Sequence, residues 1–316
     1  MIFILAFICV FFILFLNARI KNTNYYRNLF EDVEKFNNID GNLEYVNLGS
    51  TFANYAFDYN LLGLKGFNFA INGQNLEYDF KLLKHYQDKI KPGAKVFIVC
   101  ADLELVYTTT KEYFKNVRIY KYYRNILNFG EVPFILKYYL AYILFPIIKL
   151  NSVKYILHDS DPYNKKDYET NNMSLEDANN DALRRMRGWE SMFKIKDWDS
   201  QDMKDSHINE INENIDYLKS MIEFCKTKEW KPYIVVPPVS YLLNQKISEK
   251  FVEKNLIFYL KNVASEEYVM LLDYSRDARF QDLALYINSA CLNKRGRQVF
   301  METLLNDISN GGIKDE

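Results

Sequence analysis

Lys95-Val96-Phe97-Ile98-Val99-Cys100 follows the breaker Lys91-Pro92-Gly93 and is apolar at five consecutive positions. A strand with one wet face would alternate, whereas a short continuous apolar run suits a parallel strand covered on both faces. Similar segments lie on either side. Leu43-Glu44-Tyr45-Val46-Asn47-Leu48 ends at Gly49-Ser50, and a shorter strand is expected near Phe67–Ala70. Pro232–Pro238 and Tyr268–Asp273 repeat the pattern later in the chain. Between them run stretches with helical character: 51–60, 76–90, 247–263 and 294–308. The stretch 207–228 places Ile208, Ile211, Ile215, Leu218, Met221 and Ile222 near one face. Strands alternating with helices predict an α/β fold, a three-layer α/β/α sandwich around a central parallel sheet.

The remaining chain divides around this core. Residues 1–18 carry no charged side chain, and about 17–25 residues cross a bilayer as a helix. With no basic region ahead of it and no small-x-small cleavage site after it, the segment is expected to be an uncleaved single-pass anchor. Residues 19–42 then form a juxtamembrane helix, centred on 24–37. Arg19, Lys21 and Arg27 follow the anchor and by the positive-inside rule place the main domain in the cytoplasm. A lone N-terminal anchor ahead of a large domain more commonly exports it, and that orientation is preferred. Residues 43–308 are the α/β domain. A mostly helical insertion is expected over 105–200, and 309–316 form a tail. Val132–Leu150 is apolar but broken by Lys137, Pro146 and Lys149, which suits a core or interfacial helix.

A net charge of -1 argues against nucleic acid as a partner. The four cysteines, Cys9, Cys100, Cys225 and Cys291, lack a CxxC pair, and His85, His158 and His207 are the only histidines. That pattern predicts no metal site and no cofactor, with the thiols acting as small hydrophobes.

In parallel sheets ligands bind beyond the carboxyl ends of the strands. Three such ends carry suggestive residues. Ser50 follows Gly49 at the first, where a hydroxyl is placed as a nucleophile or as an ordinary helix N-cap. Asn72 and Gly73 lie at the second, as oxyanion donors or as a turn. The third holds Tyr286-Ile287-Asn288-Ser289-Ala290-Cys291-Leu292-Asn293 before the last helix.

Taken in order, Asn47–Thr51, Phe67–Gln74, Val235–Val239, Leu272–Ser275 and Cys291–Gly296 resemble the SGNH/GDSL hydrolase superfamily. The chain is most similar to its membrane-anchored cell-envelope branch, which includes the D-alanyl-lipoteichoic acid transfer protein DltD and polysaccharide O-acetyltransferase-like proteins. The resemblance implies an SGNH/flavodoxin-like sheet. It also implies acyl ester hydrolysis or acyl transfer on an envelope glycan or acylated carrier, with a membrane O-acyltransferase as a partner. By position it makes Ser50 the nucleophile, with the Ser50 and Gly73 amides in an oxyanion hole. The later asparagine donor of the family is missing from Cys100-Ala101-Asp102-Leu103-Glu104, and Asn72 is its stand-in.

The family also places an aspartate and a histidine three residues apart before the final helix. Here Asn288 occupies the Asp position and Cys291 the His position. Asn288 cannot carry the charge that stabilises an imidazolium, and a neutral thiol is a poor base. Three readings stay open: a degenerate family member that binds without turnover, activity through Ser50 with a rearranged base, or Cys291 as nucleophile. His207 and His158 are the alternative bases. A non-catalytic anchored scaffold in envelope polymer assembly is the rival from another class.

Overall fold

The structure is a computed structural model that describes residues 2–24, 26, 35–101, 103–107, 126, 145–146, 154–157 and 174–311. The chain falls into two compact units, one of residues 1–39 with 110–166, the other of residues 40–109 with 167–316.

In the first unit, α1 (Ile2–Lys21) is a 20-residue helix closed by Arg19 and Lys21. Phe3, Phe7, Phe11, Phe12 and Phe15 on it are exposed. No helix, over its described residues, is long and apolar enough to cross a membrane. The helix expected at 24–37 lies mostly outside the described residues, and only a 3-10 turn, Lys35–Asn38, is seen there. The apolar stretch Val132–Leu150 lies outside them except for Phe145 and Pro146.

The second unit is built on β1 (Leu43–Leu48), α2 (Thr51–Ala56), β2 (Gly66–Asn68), α3 (Leu76–His85) and β3 (Ile90–Val99). After α4 (Leu175–Phe193) and α5 (Lys204–Thr227) come β4 (Lys231–Val236), α6 (Phe258–Glu267), β5 (Met270–Asp273) and α7 (Lys294–Ser309). The five strands form one parallel sheet in the order β2-β1-β3-β4-β5. The α/β expectation therefore holds. Val96, Phe97, Ile98, Val99 and Cys100 are all essentially inaccessible, as their unbroken apolar run requires.

Helices cover both faces. Phe97, Val99, Val235 and Leu272 share one core with Ala53 and Ala56 of α2 and with Phe300, Met301 and Leu304 of α7. Small alanines on α2 let Phe57 stack on Phe97 at 5.5 Å and meet the edge of Phe300 at the same distance. On the other face α5 packs against α3, β4 and α6, burying Ile211, Leu218, Met221, Ile222 and Cys225.

Several boundaries differ from the sequence expectation. β3 begins at Ile90, before the Lys91-Pro92-Gly93 breaker, because the pairing with β1 jumps from Leu43↔Ile90 to Tyr45↔Lys95 and stores those residues in a bulge. Ile208 is exposed rather than buried; the backbone of His207 is non-helical (φ -136°), which turns the start of α5 off its later face. Asn214 takes a core position on that face. Tyr268 is left-handed and exposed, so it ends α6 instead of opening β5. The helix expected at 51–60 stops at Ala56, followed by a 3-10 turn, Tyr59–Leu62.

Candidate active site

A strand order of 2-1-3-4-5 reverses between β1 and β3, and the crevice beyond their carboxyl ends is where such sheets bind ligands. Gly49 leaves β1 there with φ 127°, a conformation that side chains rarely tolerate. Its NH donates to Asp79 Oδ1 of α3 at 2.8 Å. The turn sets Ser50 at the N-cap of α2.

Ser50 does not behave as a cap. Its side chain makes no capping hydrogen bond, whereas Ser174, Ser240 and Ser248 each accept from the amide three residues on. The Ser50 hydroxyl instead donates to Glu104 Oε2 at 3.1 Å. Glu104 opens the 3-10 turn Glu104–Val106 after β3. Asn214 of α5 holds that turn by donating to the carbonyls of Leu105 (2.9 Å) and Tyr107 (3.3 Å).

Two buried carboxyl groups therefore flank the Gly49-Ser50 turn. Burial raises the Glu104 pKa well above its ordinary value, and the negative charge of Asp79 adds to the effect. Burial also raises Asp79 to about 7, against hydrogen bonds from Gln74 and Gly49 that favour its charged form. Glu104 Oε1 and Asp79 Oδ2 are buried without a hydrogen-bond partner among the described residues.

Ser50 opens into a pocket of about 160 Å³. One wall is Thr51, Phe52, Gly73, Leu103 and Tyr107; the other is a face of α4, with Arg185, Trp189, Met192 and Phe193 at helical spacing. Gly73 and Ser50 both line this pocket, and neither amide is used in a backbone hydrogen bond among the described residues. Asn72 is not a lining residue, and its Oδ1 accepts from Asn54 at 3.2 Å.

Asn288 and Cys291 belong to a neighbouring cluster. Asn288 Oδ1 accepts from the amides of Ala290 (3.0 Å) and Cys291 (2.9 Å), holding the turn before α7. It also accepts from Arg185 at 3.0 Å. Burial raises the pKa of the inaccessible Cys291 thiol, although the nearby Arg185 works against this. Asp181 accepts from Arg185 at 2.9 Å and from the Ser289 hydroxyl at 2.6 Å. Burial would raise its pKa, but Arg185, Ser289 and Arg184 together hold it below the ordinary value. Arg185 thus links the two groups, lining the Ser50 pocket and contacting Asn288 and Cys291.

No hydrogen bond joins Ser50 to Cys291 among the described residues. His207 Nε2 lies 3.1 Å from the Phe193 carbonyl, and His207 does not line the pocket. His158 lies outside the described residues. No group of three or more His, Cys, Asp or Glu side chains able to hold a metal occurs among the described residues.

Sequence reasoning missed Glu104, Asp79 and Arg185. A signal existed for each acid. Asp79 falls with Leu76, Leu82 and Leu83 on the apolar face of its helix, and Glu104 follows a buried strand within an apolar segment. Arg185 was hidden inside what reads as an insertion.

No protein-family model matches the chain, and no curated protein matches it.

Proposed function

We propose that the chain is an SGNH-like acyl esterase or O-acyltransferase that uses Ser50 as its nucleophile. The observation that carries this reading is the Ser50 hydroxyl: it stands at the sheet's switch point and bonds a buried carboxyl group instead of capping its helix. A serine needs a proton acceptor within hydrogen-bond reach to act in acyl transfer, and Glu104 meets that condition without a histidine. Gly73 and Ser50 line the same pocket, and amide donors at such a place stabilise the oxyanion that an ester's carbonyl oxygen becomes. The substrate class proposed is an acylated cell-envelope glycan or acyl carrier, with a membrane O-acyltransferase as partner. The exposed phenylalanines of α1 support a membrane anchor; the side proposed for the catalytic domain is outside the cytoplasm.

A second reading, a non-catalytic binding or scaffold protein of envelope polymer assembly, draws on Asn288 and Cys291. Both are engaged in holding a turn and a buried core, which is what a decayed triad would leave.

Hydrolysis of p-nitrophenyl acetate by the detergent-solubilised full-length chain separates the two. Turnover that disappears in Ser50→Ala supports the first reading. A wild-type rate no greater than that of Ser50→Ala favours the second.

A further inference from the structure

The family's histidine position holds Cys291, which is buried among Asn288 and Arg185, while the Ser50 hydroxyl already has an acceptor at 3.1 Å. We propose that Glu104 is the general base and acid of this site, replacing the missing histidine. The proposal rests on the reading of Ser50 as an acyl-transfer nucleophile and names the residue that activates it.

The geometry carries it. Glu104 reaches Ser50 from the neighbouring strand, β3, so both groups border the crevice between β1 and β3. Its backbone turn is fixed by the buried Asn214. Its second oxygen, Oε1, is buried without a hydrogen-bond partner among the described residues, and beside Ser50 the carboxyl group is met by the backbone amide of Ala101, which favours its charged, proton-accepting form.

The reaction balances with these groups alone. As Ser50 Oγ bonds to the ester carbonyl carbon, its proton passes to the Glu104 carboxylate. When the tetrahedral intermediate collapses, the ester C–O bond breaks. Glu104 returns the proton to the departing alkoxide, which leaves as an alcohol. Water, or an acceptor hydroxyl, then gives its proton to Glu104 while attacking the acyl-serine. Collapse returns that proton to Ser50 Oγ and frees the acid or the new ester.

A carboxylate is needed for the first step, so activity rises with pH as Glu104 ionises. The groups around it are Asp79 from α3, Cys100 at the end of β3, Tyr107 in its own turn, and Arg185 from α4 across the pocket. Asp79 opposes ionisation of Glu104. Removing its charge shifts the pH profile downward.

The test is the rate of labelling of the full-length protein by a small alkyl fluorophosphonate from pH 6 to pH 10. Variants are Ser50→Ala, Glu104→Gln, Asp79→Asn and Cys291→Ala, each checked for fold by circular dichroism. The expected result is a wild-type rate that rises with pH and no labelling in Ser50→Ala. Glu104→Gln falls by roughly 10²- to 10⁴-fold, the usual contribution of a general base, and loses the pH rise. Cys291→Ala stays near wild type. If Glu104→Gln labels as fast as wild type with the same pH curve, Glu104 is not the base although Ser50 remains the nucleophile. If wild type is never labelled, the acyl-transfer reading and this proposal fall together. Should Glu104→Gln not fold, Asp79→Asn decides: a downward shift of the pH midpoint supports the assignment, and an unmoved midpoint overturns it.

Discussion

Ser50 Oγ donates to Glu104 Oε2 at 3.1 Å across the seam between β1 and β3. The two residues are 54 positions apart in sequence and meet only because β1 and β3 are hydrogen-bonded neighbours. The chain leaves β1 for β2 on one side and returns on the other side as β3. That reversal opens a gap beyond the strand ends, and both residues border it. The first strand places a serine there, and the third supplies a carboxyl group that water cannot easily reach.

Gly49 is what allows Ser50 its position. A Cβ at residue 49 would lie 2.8 Å from Ala53 Cβ and 3.0 Å from both the Cβ and the carbonyl oxygen of Val99, at φ 127°. Backbone strain and overpacking each cost about 1–3 kcal/mol. Gly49→Ala should therefore lose about 2–6 kcal/mol in a urea titration. A loss below about 0.5 kcal/mol would show that the turn is not tight.

Stability should also fall with rising pH because of Asp79. Its pKa is about 7 in the fold and 3.8 ordinarily, so the native state keeps a proton that the unfolded chain releases. The contribution is complete below about pH 4 and is lost as pH rises through about 7. Asp79→Asn mimics the protonated form, since its side-chain oxygen can still accept from Gly49. The urea midpoint of the variant should change less than that of wild type between pH 5 and pH 8. Glu104 has the same sign and remains in both. Equal changes in the two proteins would contradict the assignment.

How much of this was legible beforehand differed from feature to feature. The unbroken run Val96–Cys100 announced a doubly covered strand, and the alternation around it announced the parallel sheet. Ser50 was legible as one of two things, cap or nucleophile, and only the direction of its hydroxyl separates them. Glu104 was not legible as its partner, because which acid faces the serine depends on strand order. Arg185 was obscured for a similar reason. Its helix lies in the stretch expected as an insertion, yet α4 belongs to the same compact unit as the sheet. The Pro92-Gly93 breaker was visible, but a bulge lets the strand pass through it.

The segment before α7 is more structural than its resemblance implies. Asn293 caps α7 by accepting from the Gly296 amide at 2.9 Å and also donates to the Ala284 carbonyl at 2.8 Å. Asn293→Ala should cost about 1–3 kcal/mol, from a lost cap and a partly buried carbonyl left without this donor. A cost under about 0.5 kcal/mol would mean that the cap is dispensable.

Cys291 should be chemically quiet. It is inaccessible, and burial raises its pKa, while thiol reactivity needs both access and thiolate. In the native protein iodoacetamide should spare it and modify it only after unfolding, as read by peptide mass spectrometry. Rapid alkylation in the folded state would revive it as a nucleophile.

The most direct measurement is peptide mapping of the fluorophosphonate-treated full-length protein by mass spectrometry. The adduct is predicted on Ser50, in wild type and in Cys291→Ala alike. An adduct on any other residue, or none at any pH, would contradict the assignment of Ser50 as the nucleophile.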